Sequence, residues 1–262
     1  MDVHHQTHDH PKKSWKEYLW EFIMLFLAVF SGFLAEYQLE HKIESDRAIE
    51  LAKSFYEELK NDSVNVVVKV QNRIKQEDAL KYLMKYFKDS SLTDVSKTFA
   101  INFLYGISFR SPSLIEPRTV VLEQLKNSGS LRYFKNEELQ KLIGDISVAI
   151  HNINDRQALE WDVRKEYLNP LLINHYDFDF DISLTLDGKL NIFEATIDYE
   201  KNNEFIPFHI KSLKKFDRQN VINVLGFYTM NLMKSTRMTH IQKYIELNAE
   251  LLKVLRKEYH IE

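Results

Sequence analysis

The sequence predicts a mainly α-helical protein that begins with a membrane-spanning helix and carries one β-hairpin in an otherwise helical domain. Three observations support this fold class. The chain of 262 residues contains only six Gly and five Pro, an uncharged apolar run lies near its N-terminus, and apolar residues recur at helical spacing over long stretches. Few Gly and Pro suit long helices better than a many-turned β fold. We expect an N-terminal transmembrane helix that continues into a long rod and then a bundle-like helical domain.

The apolar run covers residues 22–35 and reads FIMLFLAVFSGFLA, without a charge. With Tyr18, Trp20 and Tyr37 at its ends it reaches about twenty residues, which as a helix cover roughly 30 Å, the thickness of the hydrocarbon layer. Tyr and Trp are enriched at the membrane–water interface. The sequence therefore predicts a transmembrane helix over residues 18–37, preceded by a polar tail, 1–17.

Two alternatives fit a similar apolar run. A cleaved signal peptide needs a small-x-small cleavage site after its core, and Phe33-Leu34-Ala35 matches that pattern poorly. A buried core helix of a soluble protein is the second alternative, because the uncharged run is short for a membrane span. The charges on either side of the run favour the membrane interpretation.

These flanking charges also predict the orientation. Lysines precede the run and acidic residues follow it: Lys12, Lys13 and Lys16, then Glu36, Glu40, Glu44 and Asp46. By the positive-inside tendency the N-terminus is cytoplasmic and residues 38–262 are exported. In a bacterium with two membranes, this is a single-pass inner-membrane protein with a periplasmic domain.

A helical stripe follows the membrane segment. Residues 38–88 contain no Gly or Pro, and their apolar residues lie mostly three, four or seven positions apart: Ala48, Ala52, Phe55, Leu59, Val66, Val70, Leu80, Met84 and Phe87. This spacing predicts one long rod with a break near Asn61-Asp62-Ser63. The stripe packs either against later helices of the same chain or in an intermolecular coiled coil.

Shorter helices are predicted further along the chain. One covers residues 94–105, and residues 108–118 are irregular because they hold Pro112 and Pro117. Thr119 is the predicted cap of a helix that ends at Asn127-Ser128-Gly129. Asn136 is the predicted cap of the next helix, which continues until just before Pro170.

The period of the apolar residues changes at residues 177–199. Apolar residues at 178, 180, 182, 184 and 186 alternate with polar ones, Asp187-Gly188 follows, and a second apolar run extends from 190 to 199. Alternation around a DG turn is typical of a β-hairpin. From about residue 213 to 259 the helical pattern returns, and we expect this last helix to pack back along the first rod.

Two stretches resemble a bacterial family of single-pass membrane proteins known only as a domain of unknown function. The first is Glu21-Phe22-Ile23 through Gly32-Phe33-Leu34-Ala35, and the second is TVVLEQLKNSGSLRYFKNEELQKLI at residues 119–143. The family pattern often has Asn-Trp-Asn after the membrane segment, where this chain has Tyr37-Gln38-Leu39-Glu40, so the chain resembles a divergent member. The resemblance implies an anchored, helical, exported domain and brings no activity, substrate or catalytic residue.

Candidate chemistry is sparse. The N-terminal tract MDVHHQTHDH contains the only weak metal candidates, His4, His5, His8 and His10, which could bind zinc or nickel but lack the fixed spacing of a helix-borne site. A polar tail is the other interpretation. Asp177-x-Asp179-x-Asp181 resembles the start of a calcium loop, but Ile182 and Gly188 stand where its Gly and Glu belong. Asn127-Ser128-Gly129-Ser130 lacks the ending of a P-loop. We predict no catalytic residue and no cofactor.

Composition and motifs leave three hypotheses for function. A formal charge of −3 gives no reason to expect nucleic acid. The first hypothesis is an anchored interaction or scaffold protein, whose partners are the lipid bilayer and either a second copy or another envelope protein. The second is an oligomer whose spans form an ion or proton path, and the third is an exported enzyme with an unrecognised site.

The second hypothesis is motivated by Glu21, which lies on a stripe of the span. Glu21, Ala28, Gly32 and Ala35 lie within about 60° of one another on a helix. Ala28 and Gly32 have the small-x-x-x-small spacing that permits close helix approach in lipid. Either this stripe faces a partner helix, or Glu21 reaches the head groups and serves only as an interfacial anchor.

Overall fold

A computed structural model describes residues 14–185 and 191–261. The chain divides into two compact units, Met1–Glu50 and Leu51–Glu262, and helix α1 contributes to both. The described residues are mainly helical and contain no β-strand. The helices are α1 (Trp15–Asp89), α2 (Lys97–Phe103), α3 (Val120–Asn127), α4 (Glu137–Val163), α5 (Asn169–His175), α6 (Phe178–Thr185), α7 (Ile192–Lys201), α8 (Arg218–Phe227) and α9 (Gln242–Tyr259).

Wider, π-type turns extend several of these helices. In the described part of the chain they are Leu104–Ser108 after α2, Arg164–Leu168 between α4 and α5, and Tyr228–Met233 and Thr236–Ile241 between α8 and α9. Single π-type turns inside helices are rare and occur often at functional or strained positions. Here they keep the chain helical from residue 137 to 175 and from 218 to 259.

Helix α1 has no break at residues 61–63, so that part of the prediction is wrong. Asn61 Nδ2 donates to the Glu57 carbonyl at 2.8 Å, and Ser63 Oγ donates to the Lys60 carbonyl at 2.7 Å. These polar side chains bond back to the preceding turn instead of competing with the helix. The helix therefore continues through a stretch whose composition is typical of a cap.

The predicted apolar stripe of α1 is buried within the second unit. Phe55, Leu59, Leu80 and Phe87 are all nearly inaccessible to solvent. Leu80 and Phe87 belong to one hydrophobic core with residues from α2 and α5–α8. This burial agrees with packing against later helices of the same chain, the first of the two interpretations.

The C-terminal helices run back along α1, as the sequence predicted. Arg237 forms a two-pronged ion pair with Glu77, with both N–O distances at 2.8 Å. Further along, Tyr244 donates to Asp62 at 3.1 Å and Asn248 donates to the Leu59 carbonyl at 3.1 Å. As the residue number rises from 237 to 248 in the last helices, the number of the contacted residue in α1 falls from 77 to 59. The two segments are therefore antiparallel.

Helix α4 begins as predicted and ends differently. The Leu139 amide donates to Asn136 Oδ1 at 3.1 Å, which confirms Asn136 as the cap. The chain does not leave the helical conformation before Pro170, because α5 begins at Asn169 after the wide turn Arg164–Leu168. Pro170 lies in the first turn of α5, directly after this wide turn, where the regular helical hydrogen-bond ladder is already altered.

The prediction of a β-hairpin at residues 177–199 is wrong for the described residues. Helix α6 occupies 178–185 and α7 occupies 192–201, and the two helices pack against each other. The Asp187-Gly188 turn lies outside the described residues. Phe180 and Leu184 are buried, whereas Phe178 and Ile182 are more than half exposed.

The error has a simple physical reason. Alternating positions include pairs four residues apart, and such pairs share one face of a helix as well as one face of a strand. Phe180 packs against Tyr199 and Phe208, with ring centroids 5.8 and 5.2 Å away. Ser183 and Thr185 donate to the carbonyls four residues earlier, which ties the polar positions into the helix. The alternating pattern therefore belongs to a helix with one covered face. Of its apolar residues, Phe180 and Leu184, four positions apart, are buried.

Substitutions in α6 distinguish the helix from a strand. Phe180→Ala should lower the free energy of unfolding by about 3–5 kcal/mol, because it empties a buried site. Ile182→Ala should change it by less than about 0.5 kcal/mol, because Ile182 is 60% exposed. Denaturant unfolding of the full chain in detergent measures both. Equal losses would contradict the helix, since a hairpin places both side chains on the same covered face.

Candidate functional site

The apolar segment of α1 is the most unusual surface of the first unit. Its large side chains are exposed apart from Ile23, which is partly exposed: Phe22, Met24, Leu25, Phe26, Leu27, Val29, Phe30, Phe33 and Leu34. None of the most apolar stretch is buried, and the helix is long and apolar enough to cross a membrane. An uninterrupted exposed apolar surface of this kind marks a site for lipid or for another protein. Exposed Trp15, Trp20 and Tyr37 flank it.

The structure places the predicted packing stripe in this segment. Glu21, Ala28, Gly32 and Ala35 all lie on α1, and a Cβ added at Gly32 would meet no atom within 4 Å. Phe22, Phe26 and Phe30 stack along another face, with successive ring centroids 6.3 and 5.9 Å apart. The small residues and the aromatic residues therefore occupy different faces of the same helix.

The predicted metal candidates of the N-terminal tract stay a prediction. His4, His5, His8 and His10 lie outside the described residues, and the described residues contain no group of His, Cys, Asp or Glu that could hold a metal ion. Asp177 is buried and accepts from the His209 amide at 2.8 Å, while Lys211 Nζ lies 2.7 Å from its other oxygen. Asp181 accepts from the Tyr176 hydroxyl, and burial raises the pKa of Asp181. These aspartates bind neighbouring parts of their own chain.

A row of polar side chains on α1 forms the most elaborate cluster of the second unit. We call it the polar face of α1, and it consists of Glu58, Asp62, Lys69, Asn72, Arg73 and Gln76. Every member hydrogen-bonds to the backbone between residues 106 and 121. This partly buried segment pairs only some of its own N–H and C=O groups, so another element must supply partners for others. The polar face of α1 supplies most of them.

The end of the first wide turn is held from two sides. Gln76 Nε2 donates to the Gly106 and Phe109 carbonyls at 3.2 and 2.9 Å. Arg164 Nη2 donates to the Ile107 and Ser108 carbonyls at 2.5 and 2.6 Å. The last carbonyls of a helix lack intrahelical partners and carry partial negative charge. A buried guanidinium is therefore favourable at this position.

The irregular segment is held along its whole length. Lys69 Nζ donates to the Ser111 carbonyl at 3.1 Å, and Asn72 Nδ2 donates to the Pro112 carbonyl at 3.0 Å. The side-chain amide of Gln157, on α4, both donates to and accepts from the backbone of Ile115. These two hydrogen bonds resemble those between a hydrogen-bonded pair of residues in antiparallel β-strands.

Acidic residues of the polar face hold the start of α3. Asp62 accepts from the Arg118 amide at 2.8 Å, and Glu58 accepts from the Val121 amide at 3.0 Å. Thr119 occupies the predicted cap position, but its side chain makes no capping hydrogen bond. Two carboxyl groups of α1 replace it, because their oxygens accept hydrogen bonds from amides at the start of the helix.

A buried ion pair lies at the middle of this cluster. Arg73 Nη2 bonds to Glu160 of α4, and Arg73 Nε donates to the Met233 carbonyl at 3.3 Å. Tyr228 is buried close to Glu160 and Arg164, and its burial raises its pKa, while burial lowers the pKa of Arg164. Leu104–Ser108, Arg164–Leu168 and Tyr228–Met233, three of the π-type turns, thus contribute groups to one polar cluster.

A cleft of about 270 Å³ opens beside the polar face of α1. Asp62, Lys69 and Tyr244 line it together with residues 114–117. Burial is the largest influence on Asp62 and raises its pKa, although hydrogen bonds from Arg118 and Tyr244 act in the opposite direction. Asp62, Tyr244 and Lys69 are all bonded to the protein itself. The cleft holds a carboxylate with a perturbed pKa but no assembled nucleophile, base and orienting group.

Sequence reasoning missed the polar face of α1. One signal was present, because the predicted apolar stripe has a gap between Val70 and Leu80. Arg73, Gln76 and Glu77 fill that gap, and all three are buried. A charged residue in the register of a buried stripe indicates a buried partner elsewhere in the chain. The identity of that partner, Glu160, has no local signal in the sequence.

Comparisons with known proteins add no family. No protein-family model matches the chain, and searches of the curated proteins and of the solved structures returned no match. The resemblance carried by residues 21–35 and 119–143 therefore stays a prediction.

The raised pKa of Asp62 has a consequence for stability. The folded protein holds this proton more tightly than the unfolded chain, whose pKa is near 3.8. The folded state is favoured most below that pH and loses stability as pH rises through the raised pKa. Asp62→Asn has no proton to lose, so its melting temperature should rise relative to that of the parent as pH increases.

Thermal unfolding of the full chain across acidic to neutral pH measures this difference. Asp78→Asn is the matched control, because Asp78 lies on an exposed part of the same helix. A difference between Asp62→Asn and the parent that stays constant with pH would contradict the raised pKa.

Proposed function

We propose that the chain is a single-pass membrane protein whose helical domain acts as an interaction or scaffold component of the cell envelope. The observation that carries this proposal is the unbroken exposed apolar surface of α1 between two aromatic flanks. Its length fits the hydrocarbon layer, and lipid would cover every apolar side chain that water now contacts. Residues 18–37 form the proposed span.

The proposed orientation places the N-terminus in the cytoplasm and residues 38–262 in the periplasm, with the span in the inner membrane. Its support is the lysine flank before the span and the acidic flank after it. The resemblance to single-pass membrane proteins with exported domains supports the same arrangement.

An interaction role fits the second unit better than catalysis. Asp62, Lys69 and Tyr244, which line the cleft, bind the protein's own backbone or one another. A scaffold needs a rigid surface, and buried polar bonds between α1 and residues 106–121 make the fold specific. The partners we propose are the lipid bilayer and either a second copy or another envelope protein. The near-neutral charge gives no reason to include nucleic acid.

A second candidate is an oligomer whose spans line an ion or proton path. One observation favours it: Gly32 has open space around it on the same stripe as Ala28 and Ala35, so a second helix could approach closely there. In such an oligomer Glu21 would face protein instead of lipid.

Alkaline carbonate extraction of membranes tests the span. The parent protein should stay in the membrane pellet, whereas Leu25→Arg combined with Val29→Arg should move it to the supernatant. Each arginine near the centre of a span raises the insertion free energy by roughly 2.5–3.5 kcal/mol. Val64→Arg combined with Val68→Arg is the control, since these exposed valines lie on the same helix within the second unit. Extraction of the parent itself would overturn the proposal.

A reporter fused after Glu262 tests the orientation. A reporter that is active only after export should be active in the fusion, because the acidic flank favours the exported side. Activity from a reporter that works only in the cytosol would reverse the proposed topology while leaving the span intact.

Crosslinking in native membranes separates the two candidate functions. If the small stripe packs against a second span, Gly32→Leu should reduce crosslinked dimer at least about fivefold, because a bulky side chain blocks close approach. Ser31→Leu, one position around the helix, should not, and Glu21→Gln shows whether the carboxylate contributes. Unchanged crosslinking in Gly32→Leu, with normal insertion, would leave Glu21 as an interfacial anchor and remove the oligomeric path.

A further inference from the structure

A second cleft, of about 200 Å³, lies between α5 and α8 in the second unit. Its walls combine three kinds of group. Glu166 and Asp217 contribute carboxylates, Lys215 contributes an ammonium group, and Leu171 with Val221 contributes an apolar surface. Pockets for drug-sized ligands are roughly 300–1,000 Å³, so this cleft admits only a smaller molecule.

His175 occupies the buried side of this cleft and is held in one orientation. It is 9% exposed, its carbonyl accepts from the Lys211 amide at 3.0 Å, and its Nδ1 lies 2.9 Å from the Lys211 carbonyl. A carbonyl oxygen can only accept, so Nδ1 carries the hydrogen. In the neutral imidazole Nε2 is then an acceptor. The edge-on contact with Phe216, at 5.0 Å between centroids, fixes the ring plane.

Some polar atoms in the α5–α8 cleft have no hydrogen-bond partner in the part of the protein that the structure describes, unlike Asp62, Lys69 and Tyr244 in the first cleft. Among the described residues, His175 Nε2 and Lys215 Nζ have no protein hydrogen-bond partner. Asp217 Oδ1 accepts from the Asn220 amide at 3.0 Å, which leaves its second oxygen available. Glu166 is hydrogen-bonded to Tyr167, so in the described part of the chain the groups of the cleft that the fold itself does not use are His175 Nε2, one oxygen of Asp217 and the exposed Lys215.

The opposite charges are arranged around an apolar wall. Glu166 and Asp217 would attract an ammonium group, and His175 Nε2 can accept one of its hydrogens. Lys215 lies just before the N-terminus of helix α8, which Asp217 already caps, and the Lys215 ammonium group favours a carboxylate. A purely anionic ligand would meet two carboxylates, and a purely cationic one would meet Lys215. A zwitterion avoids both repulsions, because its ammonium group can face the carboxylates while its carboxylate faces Lys215.

From this combination we infer that the α5–α8 cleft binds a small zwitterion with an aliphatic side chain, a free branched-chain amino acid being the simplest example. The ammonium group contacts Glu166 and His175, and the carboxylate contacts Lys215. The aliphatic group packs against Leu171, Val221 and Val224. This ligand site is independent of the membrane anchor and would persist if the proposed scaffold role were wrong.

Isothermal titration calorimetry on the full chain in detergent tests the site. The probes are L-leucine, 3-methylbutylamine, which lacks the carboxylate, and 4-methylpentanoate, which lacks the ammonium group. L-leucine should bind, and each half-molecule should bind at least about tenfold more weakly, since each loses one charge-assisted contact. Equal binding by 3-methylbutylamine would show that a cation alone is recognised and would overturn the zwitterion. The absence of L-leucine binding would overturn the site.

Two substitutions separate binding from folding at His175. His175→Asn retains a donor at the position of Nδ1 and deletes Nε2, so it should lower L-leucine affinity at least about tenfold with little change in melting temperature. His175→Gln retains a group at the position of Nε2 and loses the bond to Lys211, so it should lower the melting temperature more than it lowers affinity. Unchanged affinity in folded His175→Asn would contradict the assigned role of Nε2.

Lys214, the sequence neighbour of Lys215, provides a matched control for the proposed carboxylate contact. Lys215→Ala should lower L-leucine affinity at least about tenfold and leave 3-methylbutylamine binding unchanged, because only the carboxylate contact is lost. Lys214→Ala changes an exposed neighbour that does not line the cleft and should leave both affinities unchanged. Equal effects of the two lysine substitutions would contradict the proposed contact.

Discussion

The second unit depends on the need to satisfy the backbone of residues 106–121. This segment contains two prolines and is irregular between short helical turns, and its buried residues, such as Ser113 and Ile115, have little access to water and no regular ladder. An unpaired buried polar group costs about 1–3 kcal/mol. Gln76, Arg73, Asp62 and Glu58 of α1 remove that cost by bonding to the segment directly. Much of the fold follows from where α1 places these side chains.

The ion pair between Arg73 and Glu160 joins this arrangement to α4 and to the C-terminal helices. Arg73 also bonds to the Met233 carbonyl at the end of a wide turn. A buried pair adds little net stability against an apolar pair, but loss of one partner leaves an uncompensated charge and costs about 3–5 kcal/mol. The pair therefore joins α1 to α4 and, through the Met233 carbonyl, to the C-terminal helices.

Sequence periodicity predicted the elements whose pattern is local. The buried stripe of α1, the cap at Asn136 and the return of the last helices along α1 follow from spacing and cap chemistry alone. At α6 the same reasoning failed, because Phe180 and Leu184 fit a strand and a helix equally well, and packing against Tyr199 and Phe208 decided between them. The polar face of α1 and the cleft at His175 depend on pairs far apart in sequence, such as Arg73 with Glu160, which no local pattern specifies.

Amide hydrogen exchange on the full chain tests the role of the polar face of α1 most directly. Gln76→Leu removes the bonds to the Gly106 and Phe109 carbonyls, and Gln71→Leu makes the same change on an exposed face of the same helix. If the polar face holds the irregular segment, amides of residues 109–118 should exchange at least about tenfold faster in Gln76→Leu, equivalent to about 1.4 kcal/mol, while α9 stays protected. Equal amide exchange rates of residues 109–118 in Gln76→Leu, Gln71→Leu and the parent would contradict this role of the polar face.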